Sequence, residues 1–129
     1  MTRRILLVED DIFFQKFYSS KLIENGYEVI TVNNGREAIS KLESDNFDLI
    51  LLDLVMPEVD GFEVLRQRSM NNKWKNIPVI VFSTLGQDED INRAKSLGAN
   101  DYMNKTFYNV NDLLTKIEAN FEKSEGKII

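Results

Sequence analysis

Asp48-Leu49-Ile50-Leu51-Leu52-Asp53-Leu54-Val55-Met56-Pro57 is the stretch on which the fold turns. Four consecutive apolar residues, Leu49 to Leu52, close on a carboxylate, Asp53. An apolar run of this length with no alternation, bounded by Asp and Pro, fits a strand buried on both faces of a parallel sheet. A carboxylate at the C-terminal end of such a strand stands on the rim where α/β folds bind ligands. A second run, Ile5-Leu6-Leu7-Val8, closes on Glu9-Asp10-Asp11. If the two runs are parallel neighbours, their acids converge on one crevice and form a cation site containing a potential carboxylate nucleophile.

Outward from these runs the chain alternates. Strands are expected at Arg4–Val8, Tyr27–Val32, Leu49–Asp53, Val79–Ser83 and Asp101–Met103. Between them the spacing predicts helices over about Ile12–Glu24, Arg36–Glu43, a segment after Gly61, Asp88–Leu97 and Val110–Phe121. In the first helix Phe14, Phe17, Tyr18 and Leu22 are available for a buried face, and Asn25-Gly26 ends it as a C-cap. Asp60 is a good N-cap for the third helix. Aromatic and leucine stripes on the helices read as core, and Trp74 as a loop anchor. Strict β-α alternation argues for an α/β domain with a parallel sheet covered on both faces, and right-handed crossovers leave only a few doubly wound arrangements. Residues 1–122 form the expected domain, and 123–129 a tail or the start of a linker.

Composition bounds the chemistry. A chain of 129 residues with 43% hydrophobic residues suits one domain with one core. A net charge of −5 argues against direct nucleic-acid binding, which relies on Lys and Arg to displace counterions. No apolar stretch reaches the length of a membrane span. Cysteine is absent, which rules out disulfides and thiolate ligands and suits a cytoplasmic setting. Histidine is also absent, which removes imidazole metal sites and Ser–His or Cys–His catalysis.

In a parallel sheet the strand ends share one edge, so Glu9 and Asp10, Asp53, Ser83-Thr84 and Lys105 fall together. Two carboxylates ~4 Å apart repel by about 4 kcal/mol at an effective dielectric of about 20. Three must take up a proton, pair with Lys105 or bind a cation. All-oxygen ligands favour Mg²⁺ or Mn²⁺ over zinc or copper. Such a cation can bridge a carboxylate and a phosphoryl group, with Lys105 and Ser83 on the phosphoryl oxygens and Asp53 as in-line nucleophile. Each residue alone has a plainer use: Asp53 as a turn or cap, Asp10 and Asp11 as helix caps, Ser83 and Thr84 as loop residues, Lys105 as a solvated lysine. Their joint position on successive strand ends is what these uses explain badly.

These segments, continued by Asp60-Gly61, Ile77-Pro78-Val79-Ile80-Val81-Phe82-Ser83-Thr84, Gly98-Ala99 and Asp101-Tyr102-Met103-Asn104-Lys105, resemble the receiver domain of two-component response regulators. The likeness is collinear over nearly the whole chain. It implies a flavodoxin-like fold, five parallel strands in the order 2-1-3-4-5. It implies Asp53 as phosphoacceptor, and Glu9, Asp10, Asp53 and the Val55 backbone carbonyl as Mg²⁺ ligands. Ser83 is the implied switch hydroxyl, Tyr102 the switch aromatic, and Lys105 the phosphate-pairing lysine, with the Thr84 N–H toward the phosphoryl group. One position departs: the family usually follows this lysine with proline, often through a cis bond, whereas Thr106 stands here, leaving cis and trans both open.

The resemblance implies a signalling switch rather than an enzyme in the usual sense. A histidine kinase or histidine phosphotransfer protein would donate the phosphoryl group. Output would leave through the surface of the fourth helix, fifth strand and fifth helix, toward a partner or as a phosphorylation-dependent dimer. An aspartyl-phosphate phosphatase would need a substrate pocket or cap, for which no long insertion is present. A docking-only receiver would not need the acid–hydroxyl–lysine set. No helix-turn-helix segment follows Phe121, so DNA binding is not expected within these residues.

Overall fold

The computed structural model describes residues 2–107 and 109–124. The elements are β1 (Arg4–Val8), α1 (Ile12–Glu24), β2 (Glu28–Val32), α2 (Gly35–Ser44), β3 (Leu49–Leu52), α3 (Gly61–Met70), β4 (Val79–Ser83), α4 (Asp88–Ser96), β5 (Asp101–Asn104) and α5 (Val110–Ser124). All strands are parallel, in the order β2-β1-β3-β4-β5. The order reverses between β1 and β3, so the crevice beyond their C-terminal ends is the switch point at which open α/β sheets bind ligands.

The apolar runs explain the layers. Every residue of Leu49–Leu52 is buried, because alternate side chains enter opposite cores. Leu6, Val8, Ile50, Leu52, Val79 and Val81 join Ala38, Leu42, Phe62, Leu65 and Ala94 beneath α2, α3 and α4. Ile5, Leu7, Leu49, Leu51, Ile80 and Phe82 join Tyr18, Leu22, Leu113, Ile117 and Phe121 beneath α1 and α5. Each fully buried aliphatic side chain contributes roughly 1.5–3 kcal/mol of transfer free energy. Trp74 is buried in the α3–β4 connection, a loop anchor as its sequence setting suggests.

Caps set the helix starts. Asp11, Asn34 and Asp60 each accept from the backbone N–H three residues on, opening α1, α2 and α3. Asn34 starts α2 one residue earlier than the apolar spacing alone indicates. β3 ends at Leu52, so Asp53 follows the strand instead of completing it. β5 gains Asn104, and α5 continues to Ser124.

At the opposite end of the sheet, buried Arg68 of α3 donates to the carbonyls of Ile77 (2.7 and 2.9 Å) and Gly98 (3.2 Å) and approaches Asn100 Oδ1 (3.4 Å). Asn100 Oδ1 also accepts from Val79 N (2.8 Å). One guanidinium therefore ties α3, the start of β4 and the α4–β5 turn.

The aromatic reading of α1 needs correction. Tyr18 and Leu22 are buried, but Phe17 is 39% exposed and Phe13 72% exposed. Their rings stack in parallel, with centroids 6.3 Å apart, on the outer surface. Apolar residues surround this helix, so periodicity could not choose the buried face.

Candidate functional site

Register brings the acids together. Val8 pairs with Leu52, and Leu52 with Val81, so the residues leaving β1, β3 and β4 emerge side by side. The ladder continues past the strands: Asp53 N donates to Val8 O (3.0 Å), Glu9 N to Val32 O (3.1 Å) and Lys105 N to Ser83 O (2.9 Å). Glu9, Asp10 and Asp53 each offer a carboxylate oxygen, all within 4.8 Å of one another. Glu9 and Asp53 are buried, whereas Asp10 is exposed. Asp11 turns away to cap α1. Of two adjacent acids, helix phase therefore gives one to the crevice and one to the helix.

Lys105 closes the cluster. Its Nζ pairs directly with Glu9 Oε1 and stands 3.5 Å from Asp53 Oδ2, with only 6% of its side chain exposed. Burial pushes the Glu9 carboxyl above its ordinary range, opposed by the Lys105 ammonium. The ammonium also faces two rings, its Nζ 4.8 Å from the Phe14 centroid and 6.0 Å from that of Phe82. The Lys105–Thr106 bond is trans, since no described peptide bond is cis. A trans bond avoids the ~2.5–4 kcal/mol cost of a cis non-proline bond, and Lys105 still reaches both acids.

The loop after Asp53 is clamped by two close approaches. A Cβ on Gly61 would lie 2.4 Å from the Asp53 carbonyl oxygen and 2.7 Å from Leu54 Cα. A Cβ on Gly35 would lie 2.1 Å from the Val59 carbonyl oxygen. Hydrogen bonds from Gly35 N to Val59 O (3.0 Å) and from Gly61 N to Leu54 O (3.2 Å) complete the clamp. Val55 N donates to Asp53 Oδ1 (3.3 Å), and the Val55 side chain is 52% exposed. The Gln15 side chain donates to Glu9 O and Asn33 Oδ1, both at 2.9 Å, and braces the ends of β1 and β2.

The remaining candidates meet at the β4–α4 loop. Ser83 is fully buried and its Oγ accepts from Leu85 N (3.3 Å). Tyr102 donates its hydroxyl to Leu85 O (2.6 Å). Burial, then the negative charges of Asp90 and Asp53, push the Tyr102 phenol up to about 12. Thr84 is exposed between them. The structure thus joins Glu9, Asp10, Asp53 and Lys105 directly, and couples Ser83 to Tyr102 through Leu85. The sequence offers Phe14 only for a buried helix face and gives no sign of its contact with Lys105, of Phe82 beside it or of the Gln15 brace; only contacts across elements reveal them.

The response regulator receiver domain profile matches residues 5–118. The chain belongs to this family. As a receiver domain it is a two-component signalling module and not a classical enzyme. The probable transcriptional regulator ycf29 of Pyropia yezoensis is 37% identical over 117 residues, 91% of this chain and 52% of that protein. The transcriptional regulatory protein CpxR homolog of Haemophilus influenzae is 37% identical over 121 residues, 94% of this chain and 51% of its own length. The receiver domain thus spans about half the length of these curated relatives. A CheY-like response regulator receiver domain protein from Methanospirillum hungatei superposes with a TM-score of 0.91 at 28% identity, covering 98% of this chain and 99% of that one. Among the described residues, no helix is long and apolar enough to cross a membrane.

Proposed function

We propose that this receiver domain accepts a phosphoryl group on Asp53 from the phosphohistidine of a histidine kinase or phosphotransfer protein, and switches the surface of α4, β5 and α5 in response. The observation that carries this reading is the convergence of Glu9, Asp10, Asp53 and Lys105 at the crevice between β1 and β3. The chain has no histidine, so the donor imidazole must come from another protein or domain.

An Asp53 carboxylate oxygen attacks phosphorus as the bond to the donor nitrogen breaks, and the electron pair leaves with the imidazole. Lys105, 3.5 Å from Asp53, is in reach to pair with a transferred phosphoryl oxygen, with the Thr84 N–H as a further donor. The donor set fits a hard cation, being three carboxylates with no sulfur or imidazole. Glu9, Asp10, Asp53 and the Val55 carbonyl would hold Mg²⁺ or Mn²⁺. When bound, the cation neutralises charge on the phosphoryl oxygens. In the switch, the Ser83 hydroxyl turns from Leu85 N toward the phosphoryl group. This loosens the loop that Tyr102 holds through Leu85 O.

The receiver unit is read as residues 1–122, with α5 running on to Ser124. A cytoplasmic setting agrees with a cysteine-free chain. Incubation with acetyl phosphate and Mg²⁺ tests the assignment. The parent should acquire one acid-stable, base-labile phosphoryl group, lost in Asp53→Asn and severely slowed in Asp10→Ala. Stoichiometric labelling of Asp53→Asn would show that another acid is the acceptor.

A further inference from the structure

Lys105 is held from one side by acids and from the other by an aromatic wall. Its Nζ lies 4.8 Å from the Phe14 ring centroid and 6.0 Å from that of Phe82. The wall is itself braced. Phe14 stacks on Tyr18, with centroids 5.9 Å apart and planes 14° apart, and Tyr18 meets Phe82 edge-on at 5.1 Å and 79°. Tyr18 and Phe82 belong to the core beneath α1 and α5, so neither ring can drift. An ammonium has three N–H donors, and here at least one must face away from the two carboxylates. With 6% of the side chain exposed, little water is available for it. The negative face of an aromatic ring is what the site offers instead.

We infer that Phe14, backed by Phe82, is a positioning residue that fixes the Lys105 ammonium beside the phosphoryl acceptor. Phe14 sits in the first turn of α1, which Asp11 caps immediately after Glu9 and Asp10. The turn that presents the acids therefore also presents the ring. The backbone around Lys105 fixes where the side chain starts but not where its long, flexible stem places the ammonium. Thr106 follows it, and the segment Lys105–Phe107 is a turn anchored by Lys105 N to Ser83 O and Thr106 N to Asn104 Oδ1 (2.8 Å). A ring contact also tolerates sliding better than a directed hydrogen bond. The ammonium can pass from Glu9 toward a phosphoryl group on Asp53 while keeping the Phe14 face beneath it. The inference rests on the assignment of Asp53 as acceptor and Lys105 as its phosphoryl partner.

Two measurements on the full chain test it. In the proton NMR spectrum of the parent, the Lys105 ε-methylene protons should be shifted upfield by the Phe14 ring current, and Phe14→Leu should abolish that shift. Random-coil positions in the parent would overturn the inference without any variant having to fold. The second measurement is the rate of Asp53 phosphorylation by acetyl phosphate at saturating Mg²⁺. Phe14→Leu should slow it about ten-fold, and Phe14→Tyr should stay within about two-fold of the parent. Leucine is as apolar as phenylalanine, so a Phe14→Leu rate equal to the parent's, or a Phe14→Tyr rate as slow as that of Phe14→Leu, overturns the inference alone. A parent that takes no label at Asp53 overturns the functional assignment and this inference with it.

Discussion

Removing the ammonium at the centre of the site, by Lys105→Met, should destabilise the domain, and Mg²⁺ should restore much of the loss. At 3.5 Å from Asp53 Oδ2, a unit charge contributes about 4.7 kcal/mol of attraction at an effective dielectric of about 20. The contact with Glu9 adds a comparable amount. Methionine keeps the apolar stem, so packing is largely spared. What remains is a cluster of carboxylates with oxygens within 4.8 Å, each pair repelling by about 3.5 kcal/mol at the same dielectric. Loss of the ammonium's own desolvation cost offsets part of this, and Glu9, whose burial already favours the neutral form, can take up a proton. Breaking one side of a buried pair typically costs about 3–5 kcal/mol, and these reliefs place the expected loss near the lower end. Urea unfolding followed by far-UV circular dichroism in EDTA measures it. Because the pair is buried, 0.5 M KCl, used as a rough screening control, should leave most of the difference in place. Mg²⁺ at about 100 times its dissociation constant adds about 2.7 kcal/mol to whichever protein binds it. The variant, freed of a competing cation, should reach that level at lower Mg²⁺ than the parent. A variant within about 0.5 kcal/mol of the parent in EDTA, or with the same Mg²⁺ response, would refute the electrostatic account.

Other perturbations reach the same rim. Gly61→Ala forces a methyl group against the Asp53 carbonyl, and such overpacking costs about 1–3 kcal/mol; urea midpoints should fall and acetyl phosphate labelling should slow, whereas an unchanged midpoint would mean that the loop yields freely. Val55 and Leu85 are the apolar residues two positions beyond Asp53 and Ser83, and we expect them to flank the path of a water toward phosphorus in the phosphorylated protein. Val55→Asn with Leu85→Glu should shorten the phosphoryl lifetime about ten-fold if ~1.4 kcal/mol of barrier is recovered, and equal decay at equal Mg²⁺ counts against it. Tyr102 has its phenol raised from 10.0 to about 12, so the stability it contributes is intact below about pH 10 and lost as pH rises toward 12. Tyr102→Phe should lose less stability than the parent as pH rises from 10 toward 12, and parallel losses in the two proteins would show that Tyr102 is not responsible.

The sheet was legible because its central strands, β1, β3 and β4, are buried on both faces. Runs such as Ile5–Val8 and Leu49–Leu52 have no amphipathic alternative, and their parallel alignment puts Glu9, Asp53, Ser83 and Lys105 on one edge. Helix phase was less legible. The first helix carries Ile12, Phe13, Phe14, Phe17, Tyr18, Leu22 and Ile23, so composition could not tell that Phe13 and Phe17 face outward. Asp10 and Asp11 are chemically equivalent neighbours, and only the N-cap geometry separates them. The direct Lys105–Glu9 pair and the Phe14 contact depend on side-chain reach across elements distant in sequence.

Arg68 gives the domain a pivot. By binding the Ile77 and Gly98 carbonyls and Asn100 at the rim far from Asp53, it fastens three segments with one planar, multiply donating group, a task a lysine's point charge cannot duplicate. Of these, α3 and β4 run from that rivet to the loops around Asp53 and Ser83. The elements that lead to the acid end are thus riveted together at the opposite rim, like the ribs of a fan.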